Sequence, residues 1–248
     1  MSLLVPLVPD PNASLARRNP VAKLVAATVV MAGLLLTLDP VTPAVLLAVE
    51  LAVVPLTGVR WAALARRCWP LLLGVAGVSV ANVLIVDVES AIAVALRLLG
   101  IALPGILVLA STDPVDLADV LVQRLRVPAR FAYGALAAFR LLPLLGSDWH
   151  QIARARRARG LEAGRSPVAR LRLFGSQVFA VLVAAIRRGV RLATAMEARG
   201  FDASGPRTVA RPQPMLLPDW GLVLGAVVAV AAATAVAVAT GSWSLAFA

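Results

Sequence analysis

Long apolar runs, each close to the length of a membrane-spanning helix, constrain the fold of this chain more than any other feature. One of them, residues 220–240, contains 21 residues without a charge. A helix needs about 20 mostly apolar residues to cross a hydrocarbon core of roughly 30 Å. Four earlier segments approach this requirement. We therefore expect five spans, at residues 21–38, 41–57, 70–86 and 90–110 and within 218–248.

The composition supports a membrane protein and excludes several other classes. The chain is 60% apolar and only 15% charged, whereas ordinary soluble domains are roughly 45–50% apolar and about 25% charged. Disorder is excluded, because disordered chains have low hydrophobicity. One Cys and one His exclude a disulfide framework and a Cys/His metal cluster. We expect an all-α integral membrane protein.

Positive charge is concentrated in one part of the chain. Residues 111–217 contain 17 Arg and seven acidic residues, out of 24 basic and 13 acidic residues in the whole chain. This predicts three regions: a membrane region with four spans (residues 1–110), a cytoplasmic insert of amphipathic helices (111–217) and a final membrane region (218–248).

The charges of the connecting segments predict the orientation of the spans. Basic residues precede the first span and lie between the second and third, whereas the other two short connections contain only Asp39, Asp87 and Glu89. Basic loops remain in the cytoplasm. The N-terminus and the insert are therefore expected in the cytoplasm and the C-terminus outside. No cleavable signal is evident, so we expect the first span to be retained.

A repeated six-residue sequence is the most distinctive feature of the insert. Residues 158–163 are Ala-Arg-Gly-Leu-Glu-Ala, and residues 198–203 are Ala-Arg-Gly-Phe-Asp-Ala. Each copy follows an arginine-rich helical pattern, and glycine is the residue that commonly ends a helix. Ordinary helix ends also favour a basic last turn, but that does not explain a matched order of six residues. We interpret the copies as equivalent docking tips, in which Arg159 and Arg199 can each hold a carboxylate with a planar guanidinium.

Other motifs occur in the same order as in a known family. Residues 18–24, Arg-Asn-Pro-Val-Ala-Lys-Leu, resemble an Asp-Pro-x-x-Lys-Leu sequence at the start of a first span, with Asn19 in place of Asp. Residues 112–114, Thr-Asp-Pro, resemble the start of a coupling helix, and residues 139–143 resemble the segment before a first docking motif. Together with the repeat, these resemble the T component of energy-coupling factor (ECF) transporters, the family that includes cobalt-transport membrane proteins. The resemblance covers roughly residues 17–201.

The resemblance implies a non-catalytic scaffold in the plasma membrane. Its implied partners are two ABC ATPase subunits, identical or different, and one small membrane S component that binds a vitamin or a transition-metal ion. The implied docking residues are Ala158, Arg159, Gly160, Ala198, Arg199 and Gly200, with Arg156, Glu197, Arg140 and Pro143 as supporting residues. No cofactor is implied. The chain lacks a Gly-x-x-x-x-Gly-Lys-Ser/Thr loop, because its one Lys is Lys23, so ATP would be hydrolysed by the partners. The cargo stays open, because the S component selects it.

Two other classes of protein remain open alternatives. A permease subunit of another ABC transporter would present a single coupling loop rather than a doubled motif. A membrane-anchored, arginine-rich protein could bind lipid or nucleic acid. A nucleic-acid binder would be expected to combine Lys with stacking aromatic residues, but residues 111–217 contain no Lys, one Trp and one Tyr. We therefore expect the lipid bilayer as a partner and no nucleic acid.

Several isolated residues carry more limited expectations. Glu50 and Arg97 lie within apolar segments and are expected to pair with one another or to face the bundle interior. Pro143 is expected to kink or interrupt its helix. The cluster Arg187, Arg188 and Arg191 is expected to face the membrane surface or a partner.

The predicted orientation can be tested by cysteine labelling in a Cys68-free background. Single cysteines at positions 66 and 159 should be protected from a membrane-impermeant reagent added outside, and those at 39, 87 and 248 should react. External labelling at position 159 would contradict the predicted orientation.

Overall fold

The computed structural model describes residues 13–161, 166–201 and 209–243, and within these ranges it contains helices and no β-strand. The helices are α1 (Pro20–Leu36), α2 (Val41–Val53), a 3-10 turn (Val54–Thr57), α3 (Trp61–Ile85), α4 (Val88–Ser111), α5 (Pro114–Gln123), α6 (Ala129–Ala158), α7 (Pro167–Ala198) and α8 (Leu217–Ala239). The all-α fold is therefore confirmed.

Four of the described helices are long and apolar enough to cross a membrane: α3 over Cys68–Ile85, α4, α7 and α8. The first two predicted spans form shorter apolar helices, α1 and α2 with its 3-10 turn. The 17 residues of α1 rise about 25 Å, somewhat less than a hydrocarbon core. The chain is a multi-pass membrane protein, and the count of five spans stays a prediction.

Helix α7 meets the length and composition of a span although the sequence pattern places it in the cytoplasm. Its uncharged stretch, residues 173–186, has only 14 residues, which rise about 21 Å. Arg172 precedes this stretch and Arg187 follows it directly. Since charged side chains are costly at the bilayer centre, we retain the cytoplasmic placement as a prediction.

Two helices extend beyond the limits expected from sequence. Helix α3 begins at Trp61, so Pro70 lies inside the helix and not at its start. Helix α6 continues without interruption through Pro143. The proline ring removes one backbone donor, but the remaining hydrogen bonds keep α6 a single helix of 30 residues.

The contacts divide the described residues into two compact units. The apolar unit comprises the described residues of Val5–Leu125 and Gln213–Ala248, with α1 to α5 and α8. The arginine-rich unit comprises those of Arg126–Pro212, with α6 and α7. Helix α5 packs against α1 and so lies in the apolar unit.

The centre of the apolar unit is formed by α1, α2, α4 and α8. Helices α1 and α2 each pack against both α4 and α8, while α3 packs against α4. The core includes Val30, Leu34, Leu46 and Ala233. In a bilayer such side chains hold helices together by van der Waals packing and not by removal from water, because lipid tails are equally apolar.

Glu50 and Arg97, which were expected to pair or to face the bundle interior, do not pair with each other. The guanidinium of Arg97 donates to the backbone carbonyl of Thr37, and the carboxylate of Asp39 acts on it electrostatically. Glu50 is buried, with 8% of its surface exposed. The expectation of an interior position is met for Glu50, and that of a Glu50–Arg97 pair is wrong.

A buried polar cluster joins the start of α1 to α4 and α8. The ammonium of Lys23 donates to the carbonyls of Ala16 at 3.0 Å and Ser111 at 2.7 Å. The backbone N–H of Asn19 donates to Asp219 at 3.1 Å. The Asn19 amide also donates to the carbonyl of Pro214 at 3.3 Å. An aspartate could not donate this last bond, which gives a physical reason for Asn at the position where the resembling family has Asp.

Replacement of Lys23 tests the importance of this cluster. Lys23→Met should lower the free energy of unfolding by about 1.5–3 kcal/mol, because two carbonyls lose a charged donor. The measurement is denaturant unfolding of the purified full chain in detergent. Arg17→Met, at an exposed position, is the control and should have little effect. Equal effects of the two substitutions would argue against a specific role for Lys23.

Candidate functional site: two arginine-tipped helix ends

Helices α6 and α7 pack against each other in an antiparallel arrangement. Contacts along their length pair the end of α6 with the first half of α7: Arg156 with Ser176, and Trp149 with Gln177. The other end is defined by Tyr133 and Phe201, whose rings meet edge to face at a centroid distance of 6.2 Å. The first tip (residues 158–161) and the second tip (residues 198–201) therefore lie at opposite ends of the pair. Since a helix rises about 1.5 Å per residue, the tips are roughly 40 Å apart.

The two tips have the same backbone geometry. The residue that caps the end of α6 is Arg159, with φ −93° and ψ 8°, and the one that caps α7 is Arg199, with φ −88° and ψ 8°. The next residues, Gly160 and Gly200, have φ of 73° and 75°, a left-handed conformation that glycine adopts without steric cost.

The hydrogen bonds of the two caps also correspond one to one. Gly160 N–H donates to the carbonyl of Arg157 at 2.9 Å, and Leu161 N–H to that of Arg156 at 3.0 Å. In the second tip, Gly200 donates to Glu197 at 2.9 Å and Phe201 to Met196 at 3.0 Å. This pair of bonds is the Schellman motif. The final Glu-Ala and Asp-Ala of the sequence repeat, residues 162–163 and 202–203, lie outside the described residues.

The end of α8 shows that this backbone cap is not sufficient to define a site. Gly241 has φ of 68°, and the N–H groups of Gly241 and Ser242 donate to Val238 and Ala237 in the same pattern. The residue at the Arg position is Thr240, whose hydroxyl donates to carbonyls of its own helix, those of Val236 and Ala237, at 3.0 Å each. The tips of α6 and α7 differ from this ordinary helix end by their arginine.

Both tip arginines present unengaged guanidinium groups. Ala158, Arg159 and Gly160 are exposed, as are Ala198, Arg199 and Gly200. Among the hydrogen bonds and ion pairs of the described residues, neither Arg159 nor Arg199 has a side-chain partner. A guanidinium offers five N–H donors in a planar fork that matches a carboxylate. Each tip can therefore bind an acidic group of a partner by donating hydrogen bonds to it.

Arg156 has a role within the helix pair. Its guanidinium donates to the carbonyls of Leu173 and Ser176 at 3.1 and 3.0 Å and to the Ser176 hydroxyl at 2.7 Å. These bonds anchor the first tip to α7. The second tip is anchored differently, by the ring contact of Phe201 with Tyr133.

The other predicted supporting residues are distributed along the pair. Glu197 is exposed and lies two residues before Arg199. Arg140 and Pro143 are exposed on α6, about 28 and 24 Å along the helix from Arg159. The structure therefore brings Arg156 to the first tip and Glu197 to the second, and it brings Arg140 and Pro143 to neither.

Some residues that hold the α6–α7 pair together were not predicted from the sequence. Asp148 and Arg188 form an ion pair at 2.7 Å, and the hydrogen bond from Arg188 lowers the pKa of Asp148 below its ordinary value. Trp149 and Phe174 meet edge to face with centroids 5.5 Å apart. Arg188 was expected to face the membrane surface or a partner, which is wrong for this residue of the cluster. The single acidic residue of α6, Asp148, was the available signal for an ion pair.

Within the described part of the chain, no group of three or more His, Cys, Asp or Glu side chains is arranged to hold a metal ion.

Comparison with known proteins gives a consistent result. The family model CbiQ, described as "Cobalt transport protein", matches residues 11–210, a range that includes both tips. The energy-coupling factor transporter transmembrane protein EcfT of Exiguobacterium sibiricum is 33% identical over 142 residues, which cover 54% of each chain. The proteins of the same name from Staphylococcus aureus and Limosilactobacillus fermentum are 32% identical over 127 residues and 30% over 151. These matches cover 48% and 58% of this chain, and 47% and 56% of the relatives. The chain thus spans about half the length of the curated relatives it matches.

The anchoring role of Arg156 can be separated from its charge. Arg156→Ala should increase hydrogen exchange in the first half of α7, because the Leu173 and Ser176 groups lose their donors. Arg157→Ala removes the same charge from an exposed neighbour and should leave this exchange unchanged. Equal protection of α7 in both variants, measured by mass spectrometry on the full chain, would argue against anchoring by Arg156.

Proposed function

Since this chain belongs to the CbiQ family of cobalt transport proteins, we propose that it is the transmembrane scaffold, or T component, of an ECF importer. In this role it couples ATP hydrolysis by two ABC ATPase subunits to uptake through a small S component. The observation that carries the proposal is the presence of two matched, exposed arginine tips on one antiparallel helix pair.

The tips provide the chemistry for docking two subunits. Each exposed arginine can form a bidentate, charge-assisted pair with a carboxylate in a groove. The neighbouring Ala and Gly add little bulk, so a groove wall can approach the helix end closely. Two such ends favour docking of two related partners. A permease subunit with a single coupling loop would present only one docking end. This is our reason for preferring the T component over another ABC permease.

The helix pair provides the mechanical link between the partners. Arg156 and the Asp148–Arg188 ion pair hold α6 to α7, so a force on either tip acts on both helices. Closure of the ATPases on ATP would change the distance or angle between the two docking grooves. The pair would then tilt or slide as a unit and transmit the motion to the S component, which releases its vitamin or metal ion inside the cell.

The two tips differ in charge, which bears on the identity of the ATPases. The residue two positions before the tip arginine is Arg157 beside the first tip and Glu197 beside the second, and both residues are exposed. The first tip therefore suits a more acidic groove than the second. This favours two different ATPase subunits, or two unequal docking modes on identical ones. Docking of the first tip should accordingly be the more sensitive to salt.

In this proposal the chain lies in the plasma membrane, with its N-terminus and the α6–α7 pair in the cytoplasm and its C-terminus outside. The chain itself hydrolyses no ATP and binds no cofactor.

Arginine substitutions at the tips test docking. Loss of one partner from a buried charge pair costs about 2–5 kcal/mol, so Arg159→Ala or Arg199→Ala should weaken its own docking contact by about 1.5 to 3.5 decades. The second tip keeps the partners at high effective concentration, so single variants should still assemble. The double variant should lose assembly and transport. Arg→Lys should restore little, because an ammonium lacks the planar fork.

The measurements are co-purification with the ATPases and uptake in cells. Arg154→Ala and Arg191→Ala, which remove exposed charges on the same helices away from the tips, are the matched controls and should behave like wild type. A double variant that assembles and transports normally would reject the docking role. A loss of assembly in the controls as well would show a general charge effect.

A further inference from the structure

An apolar cavity lies in the apolar unit, among α1, α2, α4 and α8. Its volume is about 330 Å³, within the range of about 300–1,000 Å³ that is usual for small-molecule sites. Its walls are mainly aliphatic and include Val30, Leu46, Leu107 and Ala226. Such walls suit the hydrocarbon part of a ligand.

One carboxylate interrupts the apolar lining. Glu50 lines the cavity and is 8% exposed. Within the described part of the chain, neither of its carboxylate oxygens has a hydrogen-bond partner. A buried polar group without a partner is costly, and natural interiors almost always satisfy such groups. The position of Glu50 therefore indicates a partner that comes from outside the chain.

Two cations of the apolar unit that could neutralise a buried carboxylate are engaged elsewhere. Lys23, which also lines the cavity, donates to the carbonyls of Ala16 and Ser111, and the carboxylates acting on it are Asp116 and Asp219. Arg97 donates to the carbonyl of Thr37. Glu50 thus remains available as an acceptor.

Helix α8 leaves room on its side of the cavity. Gly221 and Gly225 line it, and a Cβ atom added at either position would meet nothing within 4 Å. The first carbon of a side chain introduced there therefore meets no steric conflict.

We propose that this cavity binds an amphiphile with one apolar chain and a primary ammonium group that donates to Glu50. The cavity takes the hydrocarbon chain, and the carboxylate selects the ammonium over a neutral or anionic head. The ammonium can belong to a free alkylamine or to the headgroup of an aminolipid. This inference does not depend on the docking function of the tips, which lie in the other unit.

The test uses the full chain in phosphatidylcholine nanodiscs, titrated calorimetrically with octylamine, 1-octanol or octanoate, with empty nanodiscs as the blank. Octylamine should bind about 10- to 100-fold more tightly than octanol, the range expected for a hydrogen bond to a charged group. Octanoate should bind most weakly. No saturable octylamine binding above the blank, or equal affinities for octylamine and octanol, would overturn the proposal.

Two variants separate the carboxylate from the cavity. Glu50→Gln keeps the size of the side chain and should remove the preference for octylamine while octanol binding remains. Gly225→Leu keeps the carboxylate, fills the space beside α8 and should weaken both ligands. Unchanged octylamine affinity in Glu50→Gln would exclude Glu50 as the acceptor and overturn the proposal.

The source of the ammonium is distinguished by changing the lipid. In nanodiscs that contain phosphatidylethanolamine, competition by the lipid headgroup should reduce the apparent affinity of the wild-type chain for octylamine. A reduced affinity would support an aminolipid as the natural occupant, and an unchanged affinity would support a free amine.

Discussion

The antiparallel pairing of α6 and α7 sets the geometry on which the candidate site depends. Each helix carries its arginine at its own C-terminal end, so a parallel pair would place both arginines together. The contacts of Arg156 with Ser176 and of Tyr133 with Phe201 fix the opposite arrangement. Two matched local motifs thereby become two separated, exposed ends of one helix pair. In the docking role proposed above, this separation would let two partners bind at once.

Sequence alone predicts the tips because a helix cap is a local structure. The order Arg-Gly-apolar contains everything a Schellman motif needs, so Gly160 and Gly200 could be placed before the fold was known. Helix α8 could also be predicted from the sequence, because its apolar run is continuous. Arg156 and Arg188 could not be separated from their arginine neighbours, because only the register of α6 against α7 decides which guanidinium meets Ser176 or Asp148. The pairing of Arg97 with the Thr37 carbonyl likewise depends on how α4 packs against α1.

Charged groups in the apolar unit differ in whether the backbone of another helix supplies them with a hydrogen-bond partner. Lys23 and Arg97 find backbone carbonyls at helix ends, where groups without an intrahelical donor are available. Both side chains thereby find hydrogen-bond partners within the chain. Glu50 lies within α2, where the backbone N–H groups are already used by the helix. A carboxylate in a helix interior must therefore find a side-chain or external donor, and the described residues supply none.

The backbone caps satisfy the ends of α6 and α7 without the tip arginines. A basic residue in the last turn of a helix normally interacts with the exposed carbonyls of that turn. At both tips, however, N–H groups of the two following residues already occupy two of these carbonyls. Thr240 shows that a side chain at this position can still fold back, since its short hydroxyl reaches two carbonyls of α8. Arg159 and Arg199 do not fold back, and their long side chains extend from the helix end with no partner among the described residues. The glycine therefore does more than stop the helix: together with the residue after it, it satisfies the helix end from the backbone, and the arginine is not needed there.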